Sequence, residues 1–285
     1  MYRSVRRSEC RANSVVRMFD LVQHGPDTFV GEGPRYPWGG LYGGQIVAQA
    51  LRAAAYSVEA EYLPHSIRAY FIRSGDHAEP VRYEVDRIRN GRSFGTRRVV
   101  ARQAIGAILN AECSFQREEE SVAIQTVEAP LAPARELVAD TSFTPRFHRH
   151  TVDIGDADSA ESAGAGRTTA WMKVRDEIPR DEAPGGLLDQ CWLAYLSDDL
   201  ATDAVRQTYL RHVEGAARDD LTGVSLDHTV WFHRPLRADE WHLHDVSCHH
   251  FSGSRGLVVG HVFDAAGRHA TTYAQEVLVR EPRPT

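Results

Sequence analysis

Cysteine is scarce in this chain. Cys10, Cys113, Cys191 and Cys248 are scattered over 285 residues and form no CxxC pair. That spacing excludes a disulfide scaffold and a thiolate zinc site, and reads as reduced, buried thiols acting as small apolar residues. Long hydrophobic runs are missing as well: no stretch approaches the ~20 apolar residues of a membrane span. A basic excess is missing too. The formal net charge of −6 argues against a general nucleic-acid binder. Familiar catalytic signatures are also lacking. Ser252-Gly253-Ser254-Arg255-Gly256 lacks the first glycine of a nucleophile elbow, and there is no P-loop and no GxGxxG. Histidines are plentiful at 14, but His148/His150 and His242/His244 are only pairs on strand faces. Two ligands alone do not make a site, so no metal is expected, and no cofactor either.

What is present is repetition. Residues 65–116 overlay residues 226–277 without a gap: Phe71 falls on Phe232, Arg73 on Arg234, Val85 on Val246, Ser93 on Ser254, Gly95 on Gly256 and Gly106 on Gly267. An internal repeat of this length means two copies of one unit, as the length also suggests. The copies read as residues 18–120 and 143–282, joined by a Glu/Ala/Pro-rich connector over 121–142. Residues 1–17 carry five arginines among serines, with no apolar stretch. They read as a disordered tail and not a secretory signal. Gly155–Gly166, small and acidic, reads as mobile. The chain ends Arg-Pro-Thr, not in a peroxisomal tripeptide, and a cytoplasmic location is expected.

Each copy follows one order. Gly39-Gly40-Leu41-Tyr42-Gly43-Gly44 leads into a helix over Gln45–Val58, where Ile46, Val47, Ala50, Leu51 and Ala54 recur at helical spacing. Pro184-Gly185-Gly186 opens its counterpart, with Leu187, Leu188, Cys191, Trp192 and Tyr195. Strands follow at about 65–73, 80–89, 94–104 and 107–116, then again at 225–234, 241–250, 255–264 and 268–280. Asn90-Gly91, Gly106, Ser252-Gly253 and Ala266-Gly267 punctuate them. Consecutive strands with short turns make an antiparallel sheet, and a sheet wrapping a long helix is its economical packing. The fold class is α+β.

Three positions are polar where a core would be apolar: Asp198 at the end of the second helix, Ser225 at a strand start and Gln275 in the last strand. Five segments then carry a family likeness: Leu41-Tyr42-Gly43-Gly44-Gln45; Arg73-Ser74-Gly75-Asp76; Arg89 to Phe94 with Arg97-Arg98-Val99; Ser225-Leu226-Asp227-His228 with Trp231 to Pro235; and Gln275-Glu276. On these the sequence resembles acyl-CoA thioesterase II, the TesB-type double hotdog thioesterases, from about Phe19 to Arg280. The resemblance implies two tandem units, each a long helix wrapped by a curved antiparallel sheet, and hydrolysis of acyl-CoA in a homo-oligomer. It also implies an Asp, a hydroxyl and a Gln holding one water, falling on Asp198, Ser225 and Gln275. A one-residue slip would put Asp199 in place of Asp198.

The chemistry suits those residue types. A thioester carbonyl is weakly resonance-stabilised and a thiolate leaves readily, so the missing part is a positioned, activated water. An ionised Asp accepts its proton, and Gln and Ser orient it. Ser225 has no partner base for a covalent route, His228 being placed on the opposite strand face. The resemblance also implies oxyanion donors among the helix-start amides, here around Gly43, Gly44 and Gln45 and around Gly185-Gly186. Arg73, Arg97, Arg98, Arg234 and Arg255 are candidates for the coenzyme A phosphates. Two other readings compete: a hotdog enoyl-CoA hydratase, whose Asn-Pro-(apolar)-His continuation is missing after Asp76-His77, and a non-catalytic acyl-CoA-binding protein. All three polar candidates lie in copy two. The overlay sets Pro64 and Ser114 beneath Ser225 and Gln275, which implies one active site per chain.

Overall fold

The computed structural model describes residues 17–152, 166–180 and 186–281. The expected tail up to residue 16, most of Gly155–Gly166, and Gly185 lie outside the described residues. Helix α1 spans Gly43–Ala55, and every residue from Gly44 to Ala54 is buried. Covered on all sides, this helix buries its polar side along with its apolar one. Its alanines allow close approach, and its polar members are bonded internally. Gln49 Nε2 donates to the Met18 and Glu32 carbonyls at 2.7 and 2.8 Å, and Tyr83 Oη donates to Gln49 Oε1 at 2.6 Å.

Among the described residues, thirteen strands form one sheet. The first half contains β1 (Val22–Gln23), β2 (Thr28–Gly31), β3 (Tyr62–Phe71), β4 (Val81–Asn90), β5 (Phe94–Gln103) and β6 (Gly106–Arg117). The second contains β7 (Phe147–Val152), β8 (Arg167–Val174), β9 (Thr222–Ser225), β10 (Asp227–Phe232), β11 (His242–Ser252), β12 (Arg255–Asp264) and β13 (His269–Arg280). All pairings are antiparallel, and the halves meet where β3 pairs with β10. At that seam Arg68 lies opposite Thr229, its own repeat equivalent. A pseudo-dyad therefore passes between these two residues. The strands outward from it match in pairs: β6 with β13, β5 with β12, β4 with β11, β2 with β8.

The structure adds three things to the sequence reading. A short hairpin precedes the helix in each half (β1–β2 and β7–β8); the first is too brief to leave a readable alternation. The second helix is not single. Leu187–Leu196 (α2) packs on α1, a break follows at residues 197–200, and Ala201–His212 (α3) packs on β8, β11, β12 and β13. Finally, the gapless overlay slips in the last strand. Arg97 pairs with Cys113, whereas its equivalent Val258 pairs with Gln275. Gln275 therefore occupies the place of Cys113, not Ser114. The loop closed by Phe263↔His269 is longer than the one closed by Arg102↔Ala107, which shifts every later residue. Both Gln275 and Cys113 are fully buried and face the helices.

The start of α1 rests on the end of α2. A Cβ added to Gly44 would lie 2.3 Å from the Tyr195 carbonyl oxygen, so the helices touch backbone to backbone. No described helix is long and apolar enough to cross a membrane.

Candidate active site

Asp198 lies in the break between α2 and α3, beside the C-terminal residue Ser197. A carboxylate there opposes the α2 macrodipole and is buried, two penalties that need compensation. Three donors supply it. The Gly44 amide donates to Oδ2 at 2.8 Å, Gln275 Nε2 to Oδ1 at 2.8 Å, and Ser225 Oγ to Oδ1 at 3.2 Å. Gln275 Nε2 also donates to Ser225 Oγ. Burial raises the Asp198 pKa to about 6, and the hydrogen bonds from Gln275, Gly44 and Ser225 limit that rise.

The neighbouring acid has a different duty. Both oxygens of Asp199 accept from Arg149 Nη1 at 2.8 Å. Burial pushes this carboxyl up to about 6 as well, with the Arg149 charge working against it. Asp198, not Asp199, is thus the acid that the fold joins to Ser225 and Gln275.

Ser225 ends β9 opposite Val277, and Gln275 sits two residues earlier on β13. Leu226 interrupts β9 and β10, its amide bonding the Glu276 carbonyl at 2.9 Å. The interruption resets side-chain alternation, so His228 is not turned away as strict alternation from Ser225 requires. It is fully buried, with Nε2 2.7 Å from Ser197 Oγ.

The other candidates resolve differently. The Gly44 amide serves the acid in this conformation and does not point at an open pocket. A Cβ on Gly43 would meet Asp198 Oδ2 at 2.7 Å and Phe71 Cζ at 2.9 Å. The Gln45 side chain is committed to the core, where Tyr36 Oη donates to its Oε1 at 2.9 Å. Arg97 is no phosphate ligand. It is 3% exposed and spends every N–H internally, on Ser57 Oγ, Asn90 Oδ1 and the carbonyls of Ser57, Arg89 and Thr96. Arg98 bonds Asp86 on the surface, Arg255 bonds Glu276 at 3.0 Å, and Arg73 Nη1 donates to the Ala107 carbonyl. None of the three contacts Asp198, Ser225 or Gln275. His148 and His150 do gain a third neighbour, Asp140. Its carboxylate already accepts from Ser142, His148, Arg149 and Arg175, so it is fully occupied within the protein.

A cavity of about 680 Å3 lies at the pseudo-dyad counterpart of this cluster. Phe232 and the start of α2 line it, as Phe71 and the start of α1 adjoin Asp198. Pro64 stands there in the place of Ser225, and Cys113 replaces Gln275 in the ladder.

With the geometry in place, comparison with known proteins separates the readings. The acyl-CoA thioesterase C-terminal domain family matches residues 124–279, and the corresponding N-terminal domain family matches residues 33–116. The human acyl-coenzyme A thioesterase 8 is 31% identical, over 95% of this chain and 90% of its own. The chain belongs to the acyl-CoA thioesterase family. The acyl-CoA thioesterase 2 of Haemophilus influenzae is 29% identical over 94% of this chain and 97% of its own. A solved acyl-CoA thioesterase II from Mycobacterium marinum superposes with a TM-score of 0.81, at 31% identity, over 95% of this chain and 98% of that one. A hotdog-fold protein from Alicyclobacillus acidocaldarius superposes at 0.74 and 19% identity, over 94% and 98%, which speaks to fold alone.

Three features around this thioesterase's candidate site were missed by sequence reasoning. Arg149, which claims Asp199, leaves no local signal, because it reaches α2 from a strand far earlier in the chain. Ser197 looks like a helix-end residue. The aromatic wall of Tyr36, Trp38, Tyr42 and Phe143 beside the start of α1 is drawn from two distant segments.

Proposed function

We propose that this chain hydrolyses fatty acyl-CoA to a free fatty acid and coenzyme A by direct attack of a water, with Asp198 as general base and Ser225 and Gln275 as its orienting partners. The observation that carries the reading is that Ser225 and Gln275 both donate to one oxygen of Asp198, while the Gly44 amide holds the other. A water entering this cluster meets a proton acceptor flanked by an amide N–H and a hydroxyl, which fixes its lone pair toward a carbonyl. Asp198 takes one proton as the oxygen attacks. The tetrahedral intermediate collapses with loss of the coenzyme A thiolate, which recovers that proton. We assign its oxyanion to the first-turn amides of α1 at Gly43 and Gln45, since the Gly44 amide is engaged by the acid.

The same reading takes the chain as a double hotdog of units 18–120 and 143–282, joined by 121–142, in a cytoplasmic homo-oligomer with no cofactor. The pseudo-dyad at Arg68 and Thr229 supports the tandem arrangement. One active site per chain follows from Pro64 and Cys113 at the counterpart positions. Sedimentation analysis tests the assembly. Asp198→Asn, assayed for thiol release over acyl-CoA substrates from short to long chains, tests the chemistry. A fall of about 100-fold or more in kcat is expected for loss of a general base, and near-normal release by a folded variant would sink the assignment.

A further inference from the structure

We propose that His228 is a positioning residue for this hydrolytic centre: its Nδ1–H holds the Gln275 carbonyl oxygen and so points the Gln275 amide nitrogen at Asp198 and Ser225. The inference rests on the function proposed above and extends it to a residue that touches neither water nor thioester. A glutamine amide can present either end. Here the Nε2 end is committed twice, to Asp198 Oδ1 and to Ser225 Oγ. A flip would set the amide oxygen against the carboxylate, two acceptors in contact inside the protein. Something must make the observed orientation the stable one.

His228 has the placement to do so. β10 and β13 pair from Phe232↔Thr271 to Thr229↔Ala274, and the next step along that ladder brings His228 beside Gln275. Both side chains are fully buried. Each carries one buried polar atom that lacks a partner, Nδ1 on His228 and Oε1 on Gln275. Leaving both unmet would forfeit the hydration of two buried polar atoms with nothing in return, and a short side-chain adjustment lets one satisfy the other. The remaining ring nitrogen accommodates that tautomer. Nε2 lies 2.7 Å from Ser197 Oγ, so with the proton on Nδ1 the serine hydroxyl turns to Nε2 from the more distant Ala194 carbonyl at 3.2 Å. Burial holds the imidazole neutral near pH 7, with its pKa pushed down to about 4 and the Gln275 interaction opposing that fall. Only one ring nitrogen therefore bears hydrogen. Ser197 immediately precedes Asp198, so one imidazole braces both the amide and the chain segment that carries the acid.

Three substitutions separate positioning from packing. His228→Asn places an amide N–H near the Nδ1 position, His228→Gln places it near Nε2, and His228→Leu fills the volume with no donor. For thiol release from acyl-CoA, the Leu and Gln variants are expected to lose about 10–100-fold in kcat with KM nearly unchanged, while Asn stays within about three-fold of wild type. Equal losses in all three variants, tracking their melting temperatures, or full activity in His228→Leu, would overturn the proposal. A second measurement needs no variant to fold. 15N shifts of histidine-labelled wild-type protein report which ring nitrogen is protonated; an Nδ1–H tautomer at His228 is expected, and an Nε2–H tautomer overturns the proposal. Wild-type hydrolysis is the control: its absence would fail the function itself, whereas hydrolysis indifferent to His228 would fail only this inference.

Discussion

Gly44 in the first helix donates its amide to Asp198 at the end of the second, at 2.8 Å. The acid belongs to one half of the repeat and its clamp to the other, so the site exists only where the halves meet. Copy two holds the carboxylate and its two side-chain donors, and copy one supplies the helix start that clamps the acid. The counterpart positions carry Pro64 and Cys113, so that end of the fold has neither the hydroxyl nor the amide, in keeping with the proposed single centre.

The two adjacent acids should separate cleanly. Asp199→Ala leaves the largely buried Arg149 guanidinium without its carboxylate, and losing one partner of a buried pair costs about 3 kcal/mol. The folded variant should keep kcat within a few-fold, because Asp199 touches none of Ser225, Gln275 or Gly44. Urea titration and thiol release on the same sample check this. A variant of unchanged stability but abolished turnover would reverse the roles of the two acids.

Gly43→Ala should be more damaging than any surface change nearby. Its Cβ would lie 2.7 Å from Asp198 Oδ2 and 2.9 Å from Phe71 Cζ, contacts that require the carboxylate to move. The expected outcome is a folded protein with kcat reduced about 10–100-fold, since displacing a catalytic group by an ångström is costly. Wild-type turnover in this variant would mean that the acid works from another position.

Arg97 and Arg98 are neighbours in sequence with opposite fates. Arg97→Lys removes a planar fork that satisfies five acceptors, and a buried ammonium cannot replace it. A loss of roughly 2–4 kcal/mol in folding stability is expected, with KM for acyl-CoA unchanged. Arg98→Ala breaks an exposed pair with Asp86 and should cost under ~1 kcal/mol. A raised KM in a stable Arg97→Lys protein would restore that arginine as a substrate ligand.

What was legible in the sequence was periodic or local. The strand pattern, the glycine-flanked α1 and the equivalence of the halves follow from alternation, helical spacing and a repeat. Asp198, Ser225 and Gln275 stood out singly as polar residues in elements that pack inward, and the family resemblance is what joined them into one site. The rest depends on distance in space. Arg97 reads as any strand arginine until the turn after α1 brings Ser57, and the irregular end of β4 brings Asn90 and the Arg89 carbonyl, around it. The break between β9 and β10 at Leu226 reverses the face of His228, and no alternation rule anticipates a break. The longer β12–β13 loop moved Gln275 onto Cys113, which a gapless overlay cannot see. The clamp from Gly44 to Asp198 joins two helix ends far apart in the chain.

The pH at which the site becomes active should also be the pH at which the fold begins to weaken. Asp198 acts as a base only when ionised, and burial raises its pKa to about 6, so kcat should climb through about pH 6 and level off above it. The sign for stability is opposite. A carboxyl whose folded pKa lies above its unfolded value of 3.8 binds its proton more tightly when folded, so its contribution is complete below about pH 4 and is lost as pH rises through 6. At about 1.4 kcal/mol per unit, a shift of roughly two units amounts to about 3 kcal/mol by pH 8. Asp198→Asn removes the charge and keeps the shape. The variant should therefore melt at a higher temperature than wild type at pH 8 and near the same temperature at pH 4, while its turnover stays low throughout. Thermal unfolding of both proteins across that range checks the sign. An Asp198→Asn protein that is less stable than wild type at pH 8 would mean that the ionised carboxylate, with its Gly44, Gln275 and Ser225 donors, stabilises the fold by more than its burial costs.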